Sequence, residues 1–372
     1  MAKKSVQLSG VVVAQTSICS IDAERGVLMY RGYDIADLAE HATYEEVAYL
    51  LLEGDLPTGD VLAHFREELA ERELPAATSR LIDANAAKAA PMEMLRTAVS
   101  SLSFDDPAES EIDSANERRK AARLIAQLPT IVARYERRRR GLDPVETDPS
   151  LSYAESFLTM LRGQTPTEQE VRAFEAAMIV HAEHEMNAST FTARVVAGTL
   201  ADLHSAVVAA ICALKGPIHG GANEQAMLFF QEIGRPERAE AAVRARFERK
   251  QTIYGFGHPL YVTMDPRATI LKRWSEALSL EGGEPNWFAI TDAVEHAVRE
   301  QKGLWPNVDL YSGSLYSYLG IPTDLFTPLF ECSRVAGQAA HVLEQHADNK
   351  IIRPGAEYVG PEPRDYPVAS RS

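Results

Sequence analysis

The chain has 372 residues, of which 45% are hydrophobic and 24% are charged, and its formal net charge is −15. A chain of this length and composition can bury a large core without disulfides or metal ions. The excess of acidic residues argues against general binding to nucleic acid or to an anionic membrane surface, because phosphate groups attract basic faces. It does not exclude small anionic substrates, since a few converging arginines reverse the field locally.

Cysteine usage and hydropathy bear on the location of the protein. Cys19, Cys212 and Cys332 are isolated from one another, which is typical of a reducing compartment and favours neither a disulfide framework nor a CxxC metal site. No apolar stretch follows the positive charges of residues 1–5, so no signal peptide is expected. The longest nearly apolar run, residues 206–214, is much shorter than the ~20 residues that a membrane span needs. We therefore expect a soluble cytoplasmic protein.

The predicted elements begin with a short β region. Residues 11–13 and 27–30 are β-rich, and residues 22–26 have the composition of a turn, so one small N-terminal hairpin is expected. Capping boxes then begin helices at residues 43–46 (TYEE) and 167–170 (TEQE). Gly54 is expected to end the first of these helices, because glycine readily adopts the left-handed conformation of a helix stop.

Helical periodicity dominates the rest of the chain. Further helices are predicted over residues 60–72, 116–139, 191–214, 237–249, 266–280, 290–302 and 327–346. Residues 281–285 (EGGEP) combine two glycines with a proline and predict a loop. Alternation typical of strands is scarce beyond the N-terminus, so the predicted fold class is mainly α.

Three histidines lie in segments that suggest chemistry, and they are His184 in HAEHEMNAST, His219 in GPIHGGANE and His258 in YGFGHPLY. Glycine lets a backbone approach a ligand closely, so His219 and His258 can be held against a bound molecule. An ordinary glycine-rich turn with a solvent-exposed histidine explains each of those two segments equally well. Neither segment has the pattern of a P-loop or a dinucleotide site, so nucleotide hydrolysis and hydride transfer are poorly supported.

A metal site is the alternative interpretation of His181 and His184, which lie near carboxylates. Their order differs from the HExxH zinc motif, and no cysteine or third ligand is nearby in the sequence. A satisfied core histidine is the favoured interpretation of His181, and no metal site is predicted. A metallohydrolase that uses both histidines is kept as an alternative, which metal content and sensitivity to chelators would test.

Four further side chains are candidates for a site. Asp309 lies among apolar and aromatic residues in WPNVDLYSG, where a carboxyl can have a raised pKa and act as a general base. A helix N-cap is an equally good interpretation of Asp309. Arg267, Arg334 and Arg353 stand next to helix-breaking or small residues. Arginine binds carboxylates in a bidentate fork, although a surface ion pair is the usual role of any single arginine.

These segments, in this order, resemble the citrate synthase family. The resemblance extends from LSGVV at residues 8–12 and YRGYDI at residues 30–35 to DNKIIRP at residues 348–354. Residues 182–194 and 257–261 are most similar to the 2-methylcitrate synthase branch. The resemblance implies a mainly α homodimer with two domains in each subunit and a small N-terminal β-hairpin.

The implied domains form a cleft that holds the substrates. A large dimerising domain would comprise residues 1–216 and 326–372, and a small domain of residues 217–325 would close over the site. The implied reaction condenses an acyl-CoA, either propionyl-CoA or acetyl-CoA, with oxaloacetate and water to give 2-methylcitrate or citrate plus CoA.

The resemblance also implies a role for each candidate residue. Asp309 would remove a proton from the α-carbon of the thioester, His219 would hydrogen-bond the thioester oxygen, and His258 would protonate the oxaloacetate ketone. The implied ligands of oxaloacetate are His184, Arg267, Arg334 and, from the other subunit, Arg353. The implied CoA segment is Gly255, Phe256 and Gly257, although many members have basic residues near it where this chain has Pro259, Val262 and Gly355.

No metal or redox cofactor is implied, because a base acting with a placed hydrogen-bond donor suffices for such an enolisation. A hydrophobic pocket distinguishes propionyl from acetyl by only ~1–3 kcal/mol, so activity with both is expected. One alternative is an ordinary citrate synthase with little propionyl-CoA activity. Another is a non-catalytic relative that binds oxaloacetate or CoA, against which the presence of a base and two histidines argues.

Overall fold

The computed structural model describes residues 8, 10–146, 148–282, 285–364 and 366. Outside the described residues lie residues 1–5, for which no signal peptide was expected, Ser9 of the first family-like segment, and residues 283–284 of the predicted loop. The described residues form sixteen α-helices and one small sheet. The predicted mainly α fold class is therefore confirmed.

The N-terminal sheet has three short antiparallel strands in the order β1 (Cys19–Asp22), β2 (Val27–Tyr30) and β3 (Tyr33–Asp34). The first two form the predicted hairpin, which turns at Gly26, where φ is +64°. The predicted strand at residues 11–13 is wrong, because those residues have no regular structure and Val12 is 88% exposed. Instead, β2 pairs with β1, which immediately precedes the tight turn at residues 22–26.

Eight helices occupy the first half of the chain, namely α1 (Ile35–His41), α2 (Tyr44–Glu53), α3 (Gly59–Ala70), α4 (Ala76–Asn85), α5 (Pro91–Leu102), α6 (Ser114–Arg139), α7 (Tyr153–Arg162) and α8 (Glu168–His181). Eight more follow, namely α9 (Ala188–Ala197), α10 (Leu203–Leu214), α11 (Ala222–Ile233), α12 (Ala239–Glu248), α13 (Pro266–Ser279), α14 (Trp287–Lys302), α15 (Val308–Tyr318) and α16 (Phe326–Ala347).

Local signals for helix ends hold in the structure. Both predicted capping boxes are present, and the N–H groups of Thr43 and Thr167 each donate to the carboxylate of the glutamate three residues later at 2.7 Å. Gly54 ends α2 with φ of +100°. The run at residues 191–214 is two helices rather than one, because Leu200 adopts a positive φ of +63° and Asp202 caps α10.

Helix α16 runs through the centre of the protein. Every residue of α16 from Phe326 to Val342 is buried, and the helix packs against α2, α6, α8, α9 and α10. A Cβ at Gly337 would collide with the carbonyl of Ala182 and the carboxylate of Glu183. The glycine therefore lets the turn between α8 and α9, which carries His184, lie directly on α16.

The helices from α11 to α15 pack against one another, with α13 on α15 and α12 on α14. They also meet the rest of the molecule, since α13 packs on α8 and α11 contacts α16. This packing brings the loop before α13 and the start of α15 near the α8–α9 turn. The domain division of 1–216 and 326–372 against 217–325 stays a prediction.

Candidate active site

His219 lies in the tight turn between α10 and α11, and its ring is held by the first turn of α9. The N–H of Ser189 donates to Nε2 of His219 at 3.2 Å, and Oγ of Ser189 lies 3.0 Å from the same nitrogen. Because a backbone N–H can only donate, Nε2 is unprotonated and the neutral ring carries its hydrogen on Nδ1. Burial, together with the charge of Arg334, lowers the pKa of His219 to about 4.

His258 has the opposite tautomer. Its Nδ1 accepts the backbone N–H groups of Leu260 and Tyr261 at 3.0 and 3.3 Å, so its neutral ring carries the hydrogen on Nε2. Burial and the charge of Arg267 lower the pKa of His258 to about 4. Both histidines are therefore neutral N–H donors near pH 7, one through Nδ1 and the other through Nε2.

His184 lies beside His258 in the turn after α8, with ring centroids 5.1 Å apart. Its Nε2 is hydrogen-bonded to the hydroxyl of Tyr261 at 3.1 Å. Burial, followed by the charges of Arg267 and of a protonated His258, holds the pKa of His184 well below its usual value. The three side chains His184, His258 and Tyr261 form one compact group.

Asp309 lies in the first turn of α15, but it is not the cap of that helix. Asn307 is the N-cap, and its side chain accepts the N–H of Asp309 at 3.0 Å. Oδ1 of Asp309 is shielded from solvent and has no hydrogen-bond partner in the part of the chain that the structure describes. Burial raises the pKa of Asp309 to about 7, although the charges of Arg267 and Arg334 act in the opposite direction. The structure thus removes the N-cap interpretation of Asp309.

Arg267 begins α13 and is almost fully buried. It donates from Nε and Nη2 to the two oxygens of Asp265 at 3.0 and 2.8 Å. The same carboxylate accepts the N–H of Val308, the residue before Asp309, at 3.2 Å. The sequence Asp-Pro-Arg places Asp265 as the N-cap of α13, which explains how it reaches both groups.

Arg334 lies inside α16 with 1% of its side chain exposed. Its Nε donates to the carbonyl of His181 at 2.5 Å, and its guanidinium lies 4.6 Å from the centre of the Phe330 ring. Its Nη2 is buried and has no hydrogen-bond partner among the described residues. A buried guanidinium with an unused donor is suited to binding an anionic oxygen.

Six predicted side chains share one electrostatic environment. The charges of Arg267 and Arg334 both lower the pKa values of His184 and Asp309. The charge of Arg334 also acts on His219, and that of Arg267 acts on His258. The structure therefore brings together two cations, one unpartnered carboxylate and three neutral histidines at the meeting point of α8, α13, α15 and α16.

Arg353 is the one predicted oxaloacetate ligand that lies elsewhere. It is exposed and follows the end of α16. Together with residues 13–17 and 350–354, Arg353 lines a surface cleft of about 810 Å³. Within a single chain it does not complete the group around Asp309.

The predicted CoA segment supports the start of α15. The N–H of Gly257 donates to the carbonyl of Trp305 at 2.8 Å, and the N–H of Asn307 donates to the carbonyl of Gly255 at 2.9 Å. Phe256 pairs with Pro306 between these bonds. A Cβ on Gly255, where φ is +88°, would lie 2.9 Å from Cα of Leu310. The close approach requires glycine at this position.

The metal interpretation of His181 gains no support from the side-chain geometry. Nδ1 of His181 is hydrogen-bonded to the carbonyl of Ala177 at 2.7 Å, and its ring packs edge-on against Phe330. In the described part of the chain, no group of three or more His, Cys, Asp and Glu side chains is spaced to hold a metal ion. His181 is a buried core residue, as favoured from the sequence, but the prediction that it is satisfied is wrong, because its Nε2 has no hydrogen-bond partner among the described residues.

Comparisons with known proteins identify the fold. Residues 7–355 match the family model described as citrate synthase, C-terminal domain. The chain belongs to the citrate synthase family. A relative named citrate synthase 2 from Bacillus subtilis is 45% identical and is covered over 98% of each chain. A 2-methylcitrate synthase from Shewanella oneidensis is 43% identical, with 98% of this chain and 97% of the relative covered.

A solved citrate synthase structure agrees with this membership. The citrate synthase from Thermoplasma acidophilum, solved as a ternary complex with carboxymethyl coenzyme A and oxaloacetate, matches with a TM-score of 0.90 and 34% identity over 97% of each chain. The predicted enzyme class, an acyltransferase that condenses an acyl-CoA with oxaloacetate, is confirmed by these family comparisons. In the described residues, no helix has both the length and the apolar character needed to cross a bilayer.

Sequence reasoning missed the residues that hold the predicted ones. Ser189 fixes the ring of His219, Tyr261 contacts His184, and Asp265 binds Arg267. Each lies within or beside a segment that was already singled out. The N-cap pattern of Asp265 before a proline was a usable signal, whereas the long-range partners of Ser189 and Tyr261 become visible only in three dimensions.

Proposed function

We propose that this enzyme condenses both propionyl-CoA and acetyl-CoA with oxaloacetate, and that Asp309, His219 and His258 carry out the chemistry. The observation that carries the proposal is the combination of an unpartnered Oδ1 on Asp309 with two neutral histidines of opposite tautomer. Such a set can supply one base and two separately directed donors, which an enolisation followed by a condensation requires.

The first step is removal of a proton from the α-carbon of the acyl group. Oδ1 of Asp309 accepts this proton while Nδ1–H of His219 donates to the thioester oxygen, on which negative charge develops. A neutral imidazole donor stabilises that oxygen without a full positive charge that would attract the base. Loss of either group is expected to raise the barrier by roughly 3–4 kcal/mol, on the order of a hundredfold or more in rate.

The second step forms the carbon–carbon bond. The enolate carbon attacks the ketone carbon of oxaloacetate, the thioester C=O bond re-forms, and the ketone oxygen takes the Nε2 proton of His258. The proton that Asp309 removed in the first step balances the one that His258 gives up. The two backbone N–H groups that donate to Nδ1 of His258 draw electron density from the ring, so its Nε2–H becomes a stronger donor. Water then hydrolyses the thioester, and the leaving CoA makes the sequence effectively irreversible.

Oxaloacetate is held by Arg267, Arg334 and His184 in this proposal. The free Nη2 of Arg334 supports its role as a carboxylate ligand. Arg267 keeps its guanidinium fork fixed by Asp265, so its remaining N–H groups are oriented before substrate arrives. A substrate with two carboxylates explains why an acidic protein buries two arginines at one place.

CoA is proposed to pass near Gly255, Phe256 and Gly257, where Gly257 leaves the backbone open to a ligand. Gly257 has φ of +75° and open space at its Cβ position. The reaction as proposed proceeds through the acid and base groups of the chain itself, with the CoA thioester as substrate and no separate cofactor.

A homodimer is also proposed, in which Arg353 completes the oxaloacetate site of the partner subunit. Arg353 is exposed, Ile351 in the same surface cleft is 62% exposed, and Val12, which precedes the cleft-lining Val13, is 88% exposed. An exposed cation flanked by exposed apolar groups suits burial against a second copy. A cytoplasmic location is proposed from the three free cysteines, which are typical of a reducing compartment.

Steady-state kinetics test the proposed substrates directly. Purified enzyme is given oxaloacetate with propionyl-CoA or acetyl-CoA, thiol release is followed, and the tricarboxylate product is identified by mass spectrometry. We expect turnover of both thioesters, with kcat/KM values that differ by about 10–200-fold at most, because the two acyl groups differ by one methylene. Turnover of acetyl-CoA alone would favour the ordinary citrate synthase, and turnover of neither would refute the proposal.

A further inference from the structure

A buried carboxyl that the mechanism above does not use lies on α16 behind His219. Glu331 has no exposed surface, and its Oε2 accepts a hydrogen bond from Nε2 of Gln338 at 3.1 Å. The same nitrogen of Gln338 donates to Oγ of Ser189 at 3.4 Å. Ser189 in turn donates its backbone N–H to Nε2 of His219 at 3.2 Å, so this one serine links the Glu331–Gln338 pair to the catalytic imidazole.

The helix geometry fixes these residues in place. Glu331 and Gln338 are seven residues apart, so they lie on the same face of α16, two turns from each other. Gln338 is also fully buried, and α16 packs against α9, which carries Ser189. The oxygen of Asn187 that accepts the Ser189 hydroxyl at 2.8 Å belongs to the cap of α9.

Counting donors and acceptors indicates which form of Glu331 is present. Oε1 of Glu331 and Oε1 of Gln338 are both buried, and neither has a hydrogen-bond partner within the described ranges. An ionised Glu331 would bury a charged oxygen that accepts no hydrogen bond, whereas a neutral carboxyl can carry its hydrogen on that oxygen. The neutral form is therefore the one that fits this buried pair.

The burial of Glu331 agrees with that count. Burial raises the pKa of Glu331 to about 8, although the hydrogen bond from Gln338 and the charge of Arg334 act in the opposite direction. The other titratable groups that interact with Glu331 are Cys332 on α16 and Tyr44 on α2, and both are neutral at pH 7. Arg334 is thus the one full charge that acts on Glu331 among the described residues.

We propose that Glu331 and Gln338 are positioning residues for His219, and that Glu331 performs this role as the neutral acid. The carboxyl orients the amide of Gln338, the amide orients the hydroxyl of Ser189, and Ser189 keeps Nε2 of His219 unprotonated so that Nδ1–H faces the thioester oxygen. Ionisation of Glu331 would place a negative charge at the far end of this arrangement. That charge would weaken Nδ1–H as a donor, because it favours retention of the proton on the ring.

The test is a pH series of kcat and KM for wild type, Glu331→Gln and Gln338→Leu. A glutamine at position 331 mimics the neutral acid, since its amide can accept from Gln338 and donate back to it. We expect wild-type kcat to fall above about pH 8. We expect Glu331→Gln to match the wild type within about threefold at pH 7 and to lose that alkaline fall. Gln338→Leu should lower kcat about tenfold at every pH with KM for oxaloacetate unchanged.

Ser333→Ala is the matched control, since it removes another buried polar group of α16, whose hydroxyl donates to the carbonyl of Leu329 and to no other described residue. It should retain wild-type kinetics over the whole pH range. An alkaline fall in Glu331→Gln equal to that of wild type would overturn the proposal, as would wild-type kcat in Gln338→Leu. If Gln338→Leu does not fold, the comparison of Glu331→Gln with wild type still decides.

This inference rests on the role proposed for His219, and the experiment separates the two. A wild-type enzyme that releases no CoA would refute the proposed function itself. A wild-type enzyme that turns over normally, with variants that share its pH profile, would refute only the positioning role of Glu331 and Gln338.

Discussion

Both carboxylate oxygens of Asp265 bind Arg267, accepting hydrogen bonds from Nε and Nη2 of the arginine at 3.0 and 2.8 Å. The same carboxylate accepts the N–H of Val308 at the start of α15. One buried side chain therefore fixes a proposed oxaloacetate ligand and the helix that carries the proposed base, Asp309. The relative position of these two groups depends on a residue that touches neither substrate in the proposed mechanism.

Removal of this carboxylate should destabilise the protein strongly. Asp265→Ala leaves the guanidinium of Arg267 buried without its partner, and we expect the free energy of unfolding to fall by about 3–5 kcal/mol. Urea denaturation measures the change. Glu240→Ala is the control, because both side chains of its ion pair with Arg244 are exposed. That pair should contribute at most about 1 kcal/mol to the free energy of unfolding. Equal losses in the two variants would contradict a structural role for Asp265.

Gly255→Ala tests whether the 255–257 segment positions Asp309. The new Cβ would meet Leu310, the residue after Asp309, at 2.9 Å, so we expect a large loss of kcat in addition to the ~1–2 kcal/mol cost of positive φ. Gly303→Ala has the same backbone requirement, with φ of +65°, but open space at Cβ. It should lose similar stability and keep its kcat. A wild-type kcat in Gly255→Ala would contradict the positioning role.

The pH dependence of kcat/KM for the acyl-CoA should rise between pH 5 and 8. Only the ionised form of Asp309 can accept a proton, and its pKa is raised to about 7, so activity increases as the pH passes through that value. His219 and His258, with pKa values near 4, stay neutral over this range. Measured activity that is highest at pH 5 and declines towards pH 8 would show that Asp309 is not the base.

Much of the fold followed from local patterns. The capping boxes at residues 43–46 and 167–170 and the glycine stop at Gly54 are governed by hydrogen bonds within one helix turn, so the sequence suffices to find them. The predictions that were wrong concern features that depend on distant parts of the chain or on an unusual backbone conformation. Residues 11–13 have strand composition without a partner strand, and the break near Leu200 depends on a positive φ that leucine seldom adopts.

The candidate site could likewise be predicted only in part from the sequence. The histidines and Asp309 were found because unusual residues surround them in the sequence. Their tautomers and pKa values could not be predicted from the sequence. The tautomers depend on contacts such as that of Ser189 with His219, which are 30 residues apart in the chain, and the pKa values depend on burial that only the assembled helices create. The choice between base and N-cap for Asp309 likewise required the position of Asn307.

The proposed sharing of Arg353 predicts complementation between inactive subunits. Arg353→Ala and Asp309→Asn homodimers should each have little activity, whereas their co-expression should give mixed dimers with one intact site. About a quarter of wild-type activity is expected from random pairing of subunits in a twofold dimer. Activity of the mixture no higher than that of the two separate variants would contradict a site shared between subunits.

The role of Asp309 is the central claim, and thiol release from propionyl-CoA in the presence of oxaloacetate tests it most directly. Wild type and Asp309→Asn are compared in parallel, with oxaloacetate affinity measured by calorimetry as a check on folding. We predict a loss of at least about a hundredfold in kcat for Asp309→Asn, with oxaloacetate binding nearly unchanged. An Asp309→Asn enzyme that releases CoA at the wild-type rate would contradict the account.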